Sequence, residues 1–192
     1  MKKNEEEDEE CSVMNKIKCN KNHVYFYSEV DRDTTYRLIE CLRETEKYCI
    51  NLCHETKIDT IPIYLHISSY GGCVDSAFNV IDHITSSKFP VYTIIEGYTA
   101  SSGTLISVVG KKRFIRPSAS MLIHQLSSGF WGKMMEIEDE VSNLKQAMLK
   151  LKRIYKKHTK IPKKQLIRLL KHDLMLNSNK CLELGLVDEI WN

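Results

Sequence analysis

The chain has 192 residues, a formal net charge of +3, 42% hydrophobic residues and 28% charged residues, which is typical of one globular domain with a sizeable core. No apolar run approaches the roughly 20 residues that a membrane-crossing helix needs, and the first residues, MKKNEEEDEE, lack the apolar stretch of a secretory signal. We therefore expect an intracellular protein without a membrane partner, in the cytoplasm or in the lumen-equivalent compartment of an organelle.

The amino-terminal segment is polar and aperiodic. It contains an unbroken acidic run from Glu5 to Glu10, and such runs are usually solvated and disordered. We therefore assign residues 1–22 to a flexible acidic tail and residues 23–192 to a single folded domain.

The apolar pattern from residue 23 onward alternates between strand and helix signals. In chain order it predicts a strand at 24–28, a helix from Asp31 or Asp33 to about Glu55, a strand at 61–67, a helix at 74–84, a strand at 91–95, a helix from near Ser101, strands at 113–115 and 121–123, a helix at 134–155, a short helix with Pro162 in its first turn, a helix capped by Ser178 and ended by Gly185, and a strand at 186–191. This order predicts an α/β protein with parallel strands and right-handed crossovers.

The seven cysteines are odd in number and come without an export signal, which indicates reduced thiols. Helical spacing places Cys49 and Cys53 on one face, with His54 beside them, and so raises the question of a metal. No second ligand pair follows at a zinc-site spacing. We interpret these residues as part of an apolar helix face and predict neither a metal nor a cofactor.

The predicted helix at 134–155 has an unusual apolar pattern. Its apolar residues recur in steps of three and four, a heptad seam narrower than the stripe of an ordinary core-facing helix; they are Met134, Ile137, Val141, Leu144, Met148, Leu151 and Tyr155. The seam fits either a helix lying on its own domain or a projecting helix that packs against another subunit.

A basic stretch overlaps this helix. Residues 143–172 contain eleven Lys or Arg and no Asp or Glu, a charge that suits an acidic partner such as nucleic acid. The stretch has little aromatic interleaving and no nucleic-acid-binding motif. A solvated helix face is the better interpretation, and we expect no nucleic-acid partner.

Two glycine-containing turns follow predicted buried strands. Gly71-Gly72 leaves backbone N–H groups where a side chain would block the approach of a substrate backbone. Ser101 lies in a turn of small residues that opens a helix, where neighbouring N–H groups favour an oxyanion.

His124 ends another predicted strand, where a general base would belong. Asp173 alone would usually be a surface carboxylate.

Four segments together resemble one known family, ClpP, the proteolytic subunit of the Clp protease. Residues 68–72 (SSYGG) are similar to its Ser-Pro-Gly-Gly turn, residues 97–103 (GYTASSG) to its Gly-x-Ala-Ala-Ser-Met-Gly segment, residues 121–125 (MLIHQ) to its Met-Ile-His-Gln motif, and residues 173–177 with 184–188 (DLMLN, LGLVD) to its Asp-x-Phe-Met-Ser and Tyr-Gly-Leu-Val-Asp ending. The resemblance covers residues 24–191 and keeps the family's order of Ser, His and Asp.

The resemblance implies a serine endopeptidase that cleaves unfolded proteins and short peptides through an acyl-enzyme. Ser101 matches the nucleophile, His124 the base and Asp173 its partner, while the N–H groups of Gly72 and Ser102 match the oxyanion hole. The implied fold is the ClpP/crotonase-like spiral of strand-helix units with a projecting handle helix. The implied assembly is a double ring of two heptamers, packed through the handles.

Some positions depart from the family pattern. Tyr70 replaces a proline beside the oxyanion turn. The family has an apolar cleft that receives a hydrophobic loop of a ClpX-, ClpA- or ClpC-like ATPase, and three matching positions here are polar: His66, Ser86 and Glu96. We therefore expect weak docking of such an ATPase, unless other ClpP-like subunits in the ring supply the cleft.

Two other functions remain open at this point. The first is a structural role, because some members of the family that this chain resembles have lost the triad and act only as subunits of a mixed ring; the intact Ser101, His124 and Asp173 argue against it. The crotonase-like fold also includes enzymes that act on acyl-CoA, whose oxyanion glycines resemble Gly72. Those enzymes have no need of Ser, His and Asp together.

Overall fold

The computed structural model describes residues 16–192, and within them the chain forms eight strands and six helices. In chain order these are β1 (Ile17–Asn20), β2 (His23–Phe26), α1 (Arg32–Thr56), β3 (Ile63–Ser69), α2 (Val74–Ser86), β4 (Val91–Ala100), α3 (Ser102–Val108), β5 (Lys112–Ile115), β6 (Ser120–Leu122), α4 (Met134–His158), α5 (Lys163–Leu169), β7 (Met175–Asn177), α6 (Ser178–Glu183) and β8 (Glu189–Ile190). The α/β class predicted from the sequence is confirmed.

One sheet holds these strands in the order β1-β2-β3-β4-β5-β8, and β6 pairs with both β4 and β7. From β2 to β8 along the main path the neighbours are parallel, as expected of strands joined by helical crossovers. Only β1 and β7 pair antiparallel to their neighbours in this part of the chain. None of the helices within residues 16–192 combines the length and apolar content needed to cross a membrane.

Strand β1 corrects the predicted extent of the tail. Residues 17–20 were assigned to it, but Ile17 is fully buried and pairs with Phe26 in a hairpin whose turn residue Lys21 has a φ of 56°. The segment carries only Ile17 and Cys19 as apolar residues among lysines and asparagines, so its alternation was too short to indicate a strand. Residues 1–15, including the acidic run, lie outside the described residues.

Helix α1 begins where the sequence predicts. Asp31 is the N-cap and accepts a hydrogen bond from Thr34 N–H at 2.7 Å, while the Thr34 hydroxyl accepts one from Asp31 N–H at 3.0 Å. This reciprocal pair satisfies two backbone donors that a helix start leaves free. The helix buries Leu38, Leu42 and Cys49 against the sheet, as its spacing indicates.

A bulge divides β4 between two partners. Residues 92–95 pair with β5, whereas residues 98–100 pair with β6. Against β3, Ile67 pairs with Ile95 and Ser69 with Thr99, so β4 takes four residue steps where β3 takes two. Gly97, with a φ of 63°, lies in the bulge. A bulge bends its strand. Beyond the bulge, β4 therefore pairs with β6 instead of β5, and β6 ends two residues before His124.

Helix α4 has the predicted length, and most of it is exposed. Among its seam residues only Leu151 and Tyr155 are buried, both near the carboxyl end, whereas Met134, Ile137 and Val141 are exposed. The helix therefore rests on its own domain through its last turns and projects over its first turns. The projecting first turns agree with the geometry of the second option, and packing of this helix against another subunit stays a prediction.

The carboxyl-terminal elements differ from prediction in detail. Asn177 caps α6, because its side chain accepts a hydrogen bond from Lys180 N–H at 2.9 Å; the predicted cap, Ser178, instead donates to the Pro117 carbonyl. Pro162 is the N-cap of α5 rather than a residue of its first turn. Strand β8 is shorter than the predicted 186–191.

Candidate active site

Strand register brings the three predicted catalytic residues to one edge of the sheet. Ala100 pairs with Leu122 across β4 and β6, and Ser101 N–H extends this ladder by donating to the Leu122 carbonyl at 2.9 Å. Leu122 also pairs with Met175 across the antiparallel β6 and β7. Continuing that register by two residues places His124 opposite Asp173. Ser101, His124 and Asp173 thus adjoin the ends of three adjacent strands.

Ser101 occupies a strained backbone conformation. Its φ of 53° and ψ of −127° are unusual for a residue with a side chain. It is the N-cap of α3, yet its hydroxyl makes no capping hydrogen bond. The sharp turn therefore presents the hydroxyl away from the helix, which leaves it free for other chemistry.

His124 and Asp173 are close but not in contact. His124 Nδ1 lies 3.9 Å from Asp173 Oδ1, and the side chains are 27% and 79% exposed. A hydrogen bond requires a shortening of about 1 Å, and among the described residues the Ser101 hydroxyl makes no hydrogen bond to His124 either. Catalytic hydrogen bonds are often long in unliganded enzymes and tighten on substrate binding.

The glycine turn presents a free backbone donor beside Ser101. The Gly71 carbonyl accepts a hydrogen bond from Val30 N–H at 2.8 Å, and Cys73 N–H donates to the Val30 carbonyl at 2.6 Å. These bonds fix the turn on both sides of Gly72. Among the described residues, the N–H groups of Gly72 and Ser102 find no acceptor in the chain. Both are available to an oxyanion.

Both glycines of this turn are required by the packing around them. Gly71 has a φ of 92°, and a Cβ there would lie 2.6 Å from Ser101 Cβ and 2.8 Å from the Ala100 carbonyl oxygen. Gly72 has a φ of 140°, and a Cβ there would collide with the Val30 carbonyl. A side chain at either position would push the turn away from Ser101.

Two tyrosines flank the site. The rings of Tyr70 and Tyr98 lie 5.5 Å apart between centroids, and Tyr70, at the position of the family's proline, is 75% exposed. Burial and then the nearby Asp173 carboxylate raise the pKa of Tyr98. Tyr98 was not singled out from the sequence, because only the β4 bulge places it beside a residue 75 positions later, 173 minus 98.

Helix α4 supports the nucleophile turn through hydrogen bonds. The Tyr155 hydroxyl, fully buried, lies 2.5 Å from Thr104 Oγ1, and Thr104 Oγ1 donates to the Ser101 carbonyl at 2.6 Å. The same helix contacts the segment after His124, since Leu126 N–H lies 3.5 Å from Met148 Sδ. The carboxyl-terminal half of α4 therefore contacts the segments that carry Ser101 and His124.

Two of the three predicted cleft positions, His66 on β3 and Glu96 on β4, belong to one polar network. Glu96 Oε1 lies 3.1 Å from His66 Nδ1 and 3.2 Å from Arg116 Nε, and Glu96 Oε2 accepts a hydrogen bond from the Tyr27 hydroxyl. His66 Nε2 lies 3.0 Å from His23 Nδ1. Burial opposes ionisation of Glu96, but the hydrogen bonds and charges of these partners outweigh it and lower its pKa. The third position, Ser86, is exposed and donates to the Asp82 carbonyl of its own helix.

This fold, with a serine on a strained strand-to-helix turn and a histidine and a carboxylate on adjoining strands, is typical of a serine peptidase. The model of the Clp protease family matches residues 5–192. The chain is 30% identical over 191 residues, 98% of its length, to ATP-dependent Clp protease proteolytic subunit 2 of Treponema denticola, of which it covers 90%. A solved structure of a ClpP1 variant from Listeria monocytogenes matches its fold with a TM-score of 0.72 and 24% identity, over 86% of this chain and 88% of that one.

The chain belongs to the Clp protease family. It is therefore a serine peptidase of the proteolytic-subunit class, and an acyl-CoA enzyme is not favoured.

Proposed function

We propose that Ser101 is the nucleophile of this peptidase, that His124 is its general base and that Asp173 orients His124. The observation that supports the proposal is the register of β4, β6 and β7, because the three residues adjoin the ends of these neighbouring strands. In the reaction, His124 takes the proton of the Ser101 hydroxyl as the oxygen attacks the peptide carbonyl, then gives it to the leaving amine. Water, activated by the same base, frees the acyl group.

Gly72 and Ser102 supply the oxyanion hole in this proposal. The support is that neither N–H group has an acceptor within residues 16–192 and that the glycine turn packs on Ser101. Two donors that are already in place stabilise the charge that develops on the carbonyl oxygen without reorganising. The peptide backbone of the substrate lies along the exposed edge beside Tyr70 and Tyr98.

In the single chain Asp173 is 79% exposed and lies 3.9 Å from His124, too far for a hydrogen bond. We propose that the peptidase works as a double ring of two heptamers, in which neighbouring chains close the segment around Asp173 and bring it to hydrogen-bond distance from His124. Clp ATPases are the partner class that the family indicates, and unfolded chains and short peptides are the substrates.

The nucleophile is tested by labelling with a fluorophosphonate probe, followed by mass mapping of the modified residue. Labelling of Ser101 alone is expected, and Ser101→Ala should abolish labelling and reduce peptide hydrolysis on the order of 10³-fold or more. Ser107→Ala is the matched control, since its hydroxyl bonds within the same helix, to the Thr104 carbonyl. If labelling is lost in Ser102→Ala and kept in Ser101→Ala, the nucleophile is Ser102. A chain that takes no label as an intact oligomer is a non-catalytic ring subunit.

A further inference from the structure

A second cluster of chemically active side chains lies at the β1 edge of the sheet, three strands away from β4, which leads to Ser101. Cys19 is on β1, the edge strand, while Cys41 and Glu44 are three residues apart on α1, which packs against it. Residues three apart in a helix share a face. One ligand atom from each of the three lies within 4.8 Å of the other two, and this is the one such group within residues 16–192.

We infer that Cys19, Cys41 and Glu44 form a Zn²⁺ site that fastens β1 to α1. Two sulfur ligands and one carboxylate are a donor set that zinc accepts in tetrahedral geometry, with a fourth position for water. Zn–S bonds of about 2.3 Å at a tetrahedral angle place two sulfurs roughly 3.8 Å apart. The ligand atoms, all within 4.8 Å of one another, are already close to that spacing.

The contacts of the cluster bring its ligand atoms together and hold the carboxylate in place. The Cys19 thiol donates to Glu44 Oε2 at 3.1 Å, so a proton occupies the space between two ligand atoms that a metal would bridge. Glu44 Oε1 is held by Arg37 Nη1 at 3.3 Å, as a metal-bound carboxylate is usually held by a second group behind it. Cys41 is fully buried, so one ligand is fixed by the core of the domain.

Charge favours zinc at this place. Two thiolates and a carboxylate carry three negative charges, and Zn²⁺ with Arg37 carries three positive charges. The assembled site is neutral, which matters because Cys41 is buried and an uncompensated charge there is costly. Soft thiolate ligands select zinc over magnesium or calcium, which prefer oxygen.

The site is tested with the full chain, without an affinity tag, reduced and freed of metal. Co²⁺ is the probe, because thiolate ligands give it a near-ultraviolet charge-transfer band that Zn²⁺ removes by displacing it. We expect one equivalent of each ion per chain and a rise in melting temperature on addition of Zn²⁺. Cys19→Ser should lose the band and the rise, and Glu44→Gln should weaken Zn²⁺ binding by roughly tenfold or more.

Cys53→Ser is the matched control, because Cys53 is a half-buried thiol like Cys19 and lies on α1 outside the cluster. It should keep the band, the stoichiometry and the melting shift. Wild-type protein that gives no band with Co²⁺, or a band that survives in Cys19→Ser, overturns the inference. So does an air-exposed chain that joins Cys19 to Cys41 in a disulfide and takes up no Zn²⁺ after reduction. Because Ser101 is not involved, failure here leaves the proposed peptidase site unaffected.

Discussion

Gly71 lies directly against Ser101, so the two turns of the site leave no room for a side chain between them. A methyl group on Gly71 would lie 2.6 Å from Ser101 Cβ, and the φ of 92° disfavours any residue with a side chain. The nearest atoms are Ser101 Cβ and the Ala100 carbonyl, neither of which is the far end of a flexible side chain. The added methyl must therefore displace backbone.

We expect Gly71→Ala to reduce peptide hydrolysis on the order of 10²-fold, since displacement of the turn by even about 1 Å misplaces the nucleophile and the oxyanion donors. The fold should survive with a loss of about 1–3 kcal/mol in the free energy of unfolding. Hydrolysis of a fluorogenic peptide and chemical denaturation measure the two effects. Gly129→Ala is the control, because a Cβ on Gly129 has no atom within 4 Å and meets no positive φ. Full activity of Gly71→Ala would show that the turn is not part of the site.

The residues of the candidate site differ in how far the sequence indicates them. Ser101, His124 and Asp173 were predicted because each lies in a short motif, and the structure places them together, although their catalytic roles remain predictions. Tyr98 was missed at this site, and Cys19 with Cys41 was missed at the β1 edge. In each case the residues that approach one another lie on elements that are distant in sequence. Cys19 and Cys41 are 22 residues apart, 41 minus 19, which is no recognised ligand spacing.

At the scale of elements, long periodic segments were predicted well and short ones were not. Helices α1 and α4 agree with prediction to within a few residues, since many turns contribute to their pattern. Strands β1 and β7, of four and three residues, were missed. Each of these strands forms by pairing with its neighbour in the sheet, and each is too short to show an alternating apolar pattern. The bulge in β4 was also missed, and Gly97 is its only local signal.

Over its first turns, helix α4 has an apolar seam that the described residues leave uncovered, since Ile137 and Val141 are 40% and 43% exposed. Its first turns are acidic through residues 136–140, and its last turns are basic. Two copies packed antiparallel would set the acidic part of one helix against the basic part of the other. Seam and charge together favour a helix-to-helix contact between chains.

We predict that the wild-type chain sediments as a large oligomer and that Val141→Glu with Leu144→Glu shifts it to smaller species. Two carboxylates on the seam would be desolvated without partners, at a cost of several kcal/mol. Ser142→Glu with Asn143→Glu adds the same charge beside the seam and should leave the oligomer intact. Sedimentation velocity at several concentrations measures the species. A wild-type monomer at every concentration would contradict the prediction, as would equal sedimentation of the two variants.

At the scale of the whole molecule, the face of the sheet that bears Glu96 differs from a purely apolar docking cleft. Glu96 is paired within its own chain, with Arg116, His66 and Tyr27. The sequence predicts weak docking only from the polar character of Glu96, His66 and Ser86. The Glu96 carboxylate already has charged and polar partners in its own chain, so an approaching loop does not have to neutralise it. The loop must instead desolvate Glu96 and Arg116.

The pairing of Glu96 within its own chain changes the physical reason for expecting weak docking. It also changes the variant that tests this expectation. Covering the network with an apolar loop removes water from a carboxylate and a guanidinium, at a cost of several kcal/mol. A micromolar complex has a binding free energy of only about −8 kcal/mol. Glu96→Met alone leaves Arg116 and His66 without their acceptor, which is itself costly. Replacing both charges by apolar residues avoids that penalty.

We therefore predict that a Clp ATPase with a hydrophobic docking loop binds the wild-type chain weakly, and that Glu96→Met with Arg116→Leu binds it at least roughly tenfold tighter, a gain of about 1.4 kcal/mol. Glu96→Met alone should fall between the two. Glu183→Met, which removes an exposed carboxylate paired with Lys180 on α6, is the control. Binding is measured by interferometry with the assembled oligomer, and its consequence by ATP-dependent degradation of an unfolded protein. Tight wild-type binding that the double substitution leaves unchanged would mean that the ATPase docks elsewhere, because no loop seated on Glu96 and Arg116 is indifferent to the loss of both charges.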